Sequence, residues 1–370
     1  MLFLACAAPP PPPTPPDACT VMAAGTHVPD APPLAVAKSW IGQARTSGDA
    51  GFYTMAEVAL DCQLSRQPDD VDAKRLKAHV WIQFHRFADV ENMASELVAQ
   101  HGGSLDYALL GDAQMEQGKL DAAAEAYQAG VNLRPGIELY DRIGWLRWLW
   151  GDVEGALEMA NLAVDAGTTD DPETFAWVLT RLGWMHAQRG EPYPEIQAAL
   201  RLLPHYKPAL YAAARIQLEE NPDQAAAQLK EIGATVEARR SLREIEPATP
   251  LDDVKMQDPR GYAIAISDTA PAAALAILEE ELKVRQDATT RMAHAYAGAR
   301  VRSNDPRDVE EARAALATGI VEPRVLLQGG LVLQDPLLLA RALASGPGLL
   351  PSERLQAQFA RAAYLAHPPQ

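Results

Sequence analysis

The chain has 370 residues with 49 acidic against 33 basic side chains, a formal charge of −16, and that acidity argues against a nucleic-acid binder, which needs a basic face to displace counterions from phosphates. No apolar run reaches the ~18 residues of a membrane-spanning helix, and 48% hydrophobic residues are enough to build a sizeable core. Proline is the unusual count, 29 in a chain whose strongest local patterns are helical, so the prolines must stand at helix ends or outside the fold.

Ten of the prolines precede residue 34. The run from Pro9 to Pro16, broken by Thr14, predicts an extended polyproline II tether with no apolar face to bury, so residues 1–33 are expected to be a disordered leader and tether. In front of the prolines, Leu2-Phe3-Leu4-Ala5-Cys6 is a short apolar stretch ending in a small residue and a cysteine. It resembles the end of a bacterial lipoprotein signal, which is cut before a cysteine whose thiol then carries lipid. That resemblance implies lipidation at Cys6, a start upstream of Met1, and a lipid-anchored place in a bacterial cell envelope; the alternative is a frayed cytoplasmic terminus. Cys19 and Cys62 then remain as an even pair. An oxidising envelope would let them bond and fasten the tether to the first helices; two free thiols are the alternative.

From residue 34 onward the pattern is repetitive. Three glycine pairs recur at one seven-residue spacing, Gly111 with Gly118, Gly144 with Gly151 and Gly183 with Gly190. The first unit continues through Ala123, Tyr127, Gly130 and Pro135, the second through Ala156, Ala160 and Ala163. This pattern resembles the tetratricopeptide repeat, a helix-turn-helix unit of ~34 residues. Small residues let its helices approach closely, a turn glycine supplies positive φ where the first helix ends, and a proline stops the second. The resemblance implies an all-α, right-handed superhelical solenoid. Weaker copies extend it upstream over 34–68 and 70–103 and downstream over 175–204 and 209–232. Residues 34–232 therefore read as an array of about six units, best matched over 70–208. An irregular connector is expected over 233–255, and degenerate repeats with an amphipathic capping helix over 256–366.

Catalytic patterns are absent. The stretch from Gly111 to Lys119 lacks the spacing and the Ser or Thr of a phosphate loop, and the other units repeat its glycines without lysine. There is no zinc-protease, nucleophile-elbow or Cys-x-x-Cys motif. His79 and His85 do not share a helix face as metal ligands would, and Glu279 to Glu281 read as a solvated helix face. The expectation is a non-enzymatic protein with no cofactor and no metal.

In the repeat family the first helix of each unit lines a concave groove. The groove-facing positions implied here include Asp112 and Met115, then Asp141, Trp145 and Trp148, then Trp177 and Trp184, then Tyr211 and Arg215. Helical spacing supports the aromatic part independently, because Asp141, Trp145 and Trp148 step by four and three and Trp177 and Trp184 by seven. Inter-repeat core is the alternative place for these tryptophans, and Trp40, Trp81 and Trp150 are assigned to core. The window 101–170 holds twelve acidic and four basic residues. The Lys, Asn and Arg clamp by which some members hold a terminal carboxylate is missing. The expected task is a protein-interaction scaffold whose aromatic, acidic groove takes an extended partner segment with apolar anchors and basic residues. A cytoplasmic scaffold or regulator is the first alternative and a helical enzyme or small-ligand binder the second.

Overall fold

The computed structural model describes residues 17–26, 31–47, 51–303 and 305–367. Cys6 and the polyproline run lie outside them. The described residues form 21 α-helices and no strand, the all-α helix-turn-helix solenoid that the repeats predict. They divide into two compact units, Met1–Phe84 and His85–Gln370.

The first unit contains α1 (Ala18–Thr26), α2 (Pro33–Ser47), α3 (Gly51–Arg66) and α4 (Val71–Gln83). The α2–α3 pair is a helical hairpin, and α1 and α4 both pack on α3. Met22, Trp40, Ile41, Leu60 and Val80 form its core. Within the stretch 1–33, α1 thus departs from the expected disordered tether. Met22 is buried against the α2–α3 pair, and a disulfide between Cys19 and Cys62 holds α1 to α3. The repeat read over 70–103 is also divided: α4 belongs to this unit and the following helix to the next, with His85 in the left-handed region (φ 57) at the break.

The second unit carries α5 (Phe87–Gln100), α6 (Ser104–Glu116), α7 (Leu120–Leu133), α8 (Ile137–Leu149), α9 (Val153–Asp165), α10 (Pro172–Gln188), α11 (Pro194–Leu202), α12 (Lys207–Gln217) and α13 (Pro222–Ile232). It continues with α14 (Val236–Leu242), α15 (Pro259–Ile266), α16 (Pro271–Glu281), α17 (Ala288–Arg302), α18 (Pro306–Ala317), α19 (Pro323–Val332), α20 (Pro336–Leu343) and α21 (Pro351–Ala366). Hairpins α6–α7, α8–α9, α10–α11, α12–α13, α15–α16, α17–α18 and α19–α20 stack in order. The connector 233–255 holds α14, capped by the Thr235 hydroxyl, and a 3-10 turn at Asp252–Val254.

Local chemistry explains why these segments begin and end where they do. Eleven of the described helices open with proline in the first turn, where a missing N–H leaves no bond unmade. At Asp171, Asp258, Asp305 and Asp335 the residue before that proline caps the helix through its carboxylate, satisfying backbone donors that have no partner within the helix. Gly118, Gly151 and Gly190 have φ of 74, 77 and 72 at the three turns, as their spacing predicts. Gly111 lies flat under the Tyr127 ring, which a Cβ would enter.

The second unit also closes on itself. The Gln286 N–H donates to the Glu116 carbonyl at 3.2 Å and the Val321 N–H to the Leu149 carbonyl at 2.7 Å. Arg215 Nη2 donates to the Pro347 carbonyl at 2.7 Å. Each bond joins an early first helix, α6, α8 or α12, to the segment leading into a later one, α17, α19 or α21. Apolar packing follows the same path: Tyr127, Leu139 and Leu146 share one core cluster with Met292, Ala312 and Val325. The later repeats therefore lie against the earlier ones as well as against their sequence neighbours.

Candidate partner-binding face

The aromatic face is built on α8 and α10. Trp145 and Trp177 hold the Arg181 guanidinium between them, its carbon 4.6 Å and 4.8 Å from the two ring centroids. Arg181 Nε pairs with Asp141 at 3.3 Å, and Trp177 Nε1 donates to the same carboxylate at 3.0 Å. Burial pulls the Arg181 pKa down against the attraction of Asp141. One repeat earlier the arrangement recurs without tryptophan. Arg142 donates to both oxygens of Asp112 at 2.8 Å, and the Tyr127 hydroxyl donates to Asp112 at 2.9 Å. Burial opposes the Arg142 charge, but the Asp112 carboxylate outweighs it and holds the guanidinium above its ordinary pKa. Burial, then Asp112, raises the Tyr127 phenol well above its ordinary value.

The nine residues expected along the groove have different surroundings. Trp177 is the open one, 38% exposed. Trp145 and Trp148 are half-buried and rest on Leu182, Met185 and Ala160, so these two are both face and inter-repeat packing. Trp184 packs on Ile196 and Ala212. Met115 packs into the core shared by α6–α8 and α17–α19. Arg215 is buried between Trp184 and Tyr211, 5.9 Å and 5.8 Å from their centroids. Of the tryptophans assigned to core, Trp40 and Trp81 are buried, and Trp150 is half-buried in the shared core.

Tyr211 and Arg215 meet the chain itself rather than an open groove. The segment Ser345 to Arg354 crosses this end of the inner face, with Leu349 and Leu350 buried and the Pro347 carbonyl on Arg215. Glu353 accepts from the Leu350 N–H at 2.7 Å, from Arg324 Nε at 3.1 Å, and from Arg240. Burial acts to raise the Glu353 pKa, but the two arginines overcome it and hold the carboxyl at about 2. Arg354 pairs with Glu219 on the last turn below α12. An internal strap, the 3-10 turn Gly346–Gly348 leading into α21, thus covers the α12–α14 end and touches the last turn of α10, while Trp177 stays exposed.

Sequence reasoning missed the cations. Arg142 and Arg181 neutralise the acids that were to make the groove negative, and Arg240 and Arg324 were not singled out. A signal for the first pair is present: each follows its acid, Asp112 or Asp141, by about one repeat length and stands on the next first helix. Cavities of about 480 and 340 Å³ lie near Pro250 and Tyr296, and one of about 200 Å³ near Pro347 is lined by Ala187 and Arg215. Among the described residues no group of three or more His, Cys, Asp or Glu is placed to hold a metal ion, and no helix is long and apolar enough to cross a membrane.

No protein-family model matches the chain, and no curated protein matches it. Solved structures do resemble it in backbone arrangement. A chain of the APC/C hetero-tetramer Cut9–Hcn1 is 13% identical with a TM-score of 0.44, over 79% of this chain and 52% of that one; this chain thus spans about half its length. A tetratricopeptide repeat protein from Parabacteroides merdae ATCC 43184 is 15% identical with a TM-score of 0.32, over 80% and 99%. Yeast Tom70 is 13% identical with a TM-score of 0.34, over 89% and 92%.

Proposed function

We propose that the chain is a non-enzymatic scaffold that binds an extended segment of another protein across α8 and α10. The observation that carries this reading is Trp177, an indole 38% exposed yet fixed by Asp141 from the side and Arg181 from behind. A large aromatic surface that is already immobile loses little entropy on binding, which is what an interface anchor needs. Asp112 and Asp141 are committed to the chain's own arginines, so apolar side chains of the partner stack on Trp177. Its basic side chains reach acids left at the rim, such as the exposed Glu138. The Cys19–Cys62 bond supports an oxidising compartment, and hence the reading of Cys6 as a lipid anchor in a bacterial envelope.

Selection from a phage-displayed random peptide library tests the face. Peptides with an apolar anchor beside Lys or Arg should emerge, and Trp177→Ala should weaken them at least tenfold with unchanged circular dichroism. Failure to enrich, or equal binding by the variant, overturns the reading. Intact mass of the protein from native membranes tests the tether: a lipidated Cys6 at the N-terminus is expected, and an unmodified Met1 rejects it.

A further inference from the structure

The cavity of about 200 Å³ near Pro347 lies between the last turn of α10, the end of α12 and the strap. One water requires only ~10–15 Å³ of such space, so there is room for a small molecule. The walls are mainly apolar, from Ile216, Leu218, Leu349 and Pro351, and the charged groups are Arg215, Arg354 and Glu219. Glu219 is taken by Arg354, which also donates to the Gly346 carbonyl at 3.2 Å. Two cations thus stand against one acid.

The cation left over is Arg215, which is 7% exposed. Its Nη1 donates to the Tyr211 hydroxyl at 3.0 Å and its Nη2 to the Pro347 carbonyl at 2.7 Å, both uncharged groups, and its Nε is buried with no hydrogen-bond partner. No carboxylate among the described residues forms an ion pair with it, whereas Arg142 pairs with Asp112, Arg181 with Asp141, and Arg240 and Arg324 with Glu353. The Trp184 and Tyr211 rings solvate the Arg215 charge but do not neutralise it. A buried charge is costly until an opposite one compensates it, and water in the cavity brings no charge.

We propose that this cavity binds a small monocarboxylate with a short aliphatic chain, the carboxylate against the Arg215 guanidinium and the chain against Ile216, Leu218 and Leu349. One uncompensated positive charge calls for one negative charge, and Glu219 on the wall repels a second. The apolar walls favour a hydrocarbon body over a wholly polar anion. The site does not depend on Trp177, so either can fail without the other.

Isothermal titration calorimetry of the full chain with sodium butanoate at constant ionic strength tests this. A dissociation constant of about 1 mM or below is expected, and none from sodium chloride or from butanamide, which has the same shape without the charge. Arg215→Gln should weaken butanoate by about tenfold or more. Because that change also loosens the strap, Ala187→Leu is the second variant: it fills the cavity from the α10 wall, leaves Arg215 and its bonds in place, and should abolish binding. Absence of binding, binding kept by either variant, or an equal response to chloride overturns the proposal. So does a terminally blocked alanyl-glutamyl-alanine peptide that binds more tightly than butanoate, because the cation would then serve an acidic side chain of a partner.

Discussion

Glycine is the residue whose role the structure enlarges most. The seven-residue pairs were legible because two steric demands recur in three units: a close helix approach at Gly111, Gly144 and Gly183, and a left-handed turn at Gly118, Gly151 and Gly190. What the spacing did not carry is that the turn glycines have unequal outer surroundings. A Cβ on Gly118 would stand 2.6 Å from the Gln286 carbonyl oxygen, and one on Gly151 3.3 Å from Val321, whereas Gly190 has nothing within 4 Å. The same substitution therefore separates two effects. Gly190→Ala meets only the left-handed strain of an L-residue and should lose about 1–2 kcal/mol. Gly118→Ala has that strain and must also push Gln286 away, an overpacking cost of roughly 1–3 kcal/mol more. Urea unfolding of the two variants measures the difference, and equal losses would mean that α17 does not rest on the α6–α7 turn.

Among the elements, α21 was anticipated as an amphipathic cap, and its helical period was plain in the sequence. Its N-terminus was not. Nothing within a few residues of Glu353 announces Arg240 or Arg324; only the folded chain brings three elements to one carboxylate. The same holds for Arg142 and Arg181, whose partners Asp112 and Asp141 come from the neighbouring repeat. The Glu353 pKa lies at about 2, below its ordinary 4.5. Between those values the unfolded chain binds more protons than the folded one, so this pair of bridges stabilises fully above the higher value and is lost as pH falls towards the lower. Glu353→Gln should cost about 3–5 kcal/mol at pH 7, since it leaves two buried arginines without their counter-charge. The gap between variant and parent should narrow as the pH falls from neutral towards 3. Denaturant titrations at both pH values check this, and a gap that stays constant would show that the carboxylate's charge is not what holds the strap.

For the molecule as a whole, repeat architecture and closure make opposite demands on cooperativity. In an open solenoid each repeat touches only its neighbours, and ends can fray while the middle persists. The local half of this fold follows that logic and was readable unit by unit, from the glycine turns to the Asp-Pro helix starts. The closure was not readable, because it rests on backbone groups, Gln286 to Glu116 and Val321 to Leu149, and on an arginine reaching a carbonyl 132 residues away. Neither kind of contact leaves a residue-type signature. Its consequence is measurable by hydrogen exchange. In the second unit the amides of α10–α14 and of α21 should open together, with one free energy, because the strap at Pro347 and Glu353 ties them. Arg215→Leu removes the hydrogen bonds to Pro347 and Tyr211 but keeps an apolar side chain against Trp184, so it should raise exchange in α21 and in α10–α14 by the same factor, about tenfold for each 1.4 kcal/mol lost. Faster exchange confined to α21 would return the unit to an open array whose last repeats fray independently, and the inner face near Tyr211 would then be open to a partner after all.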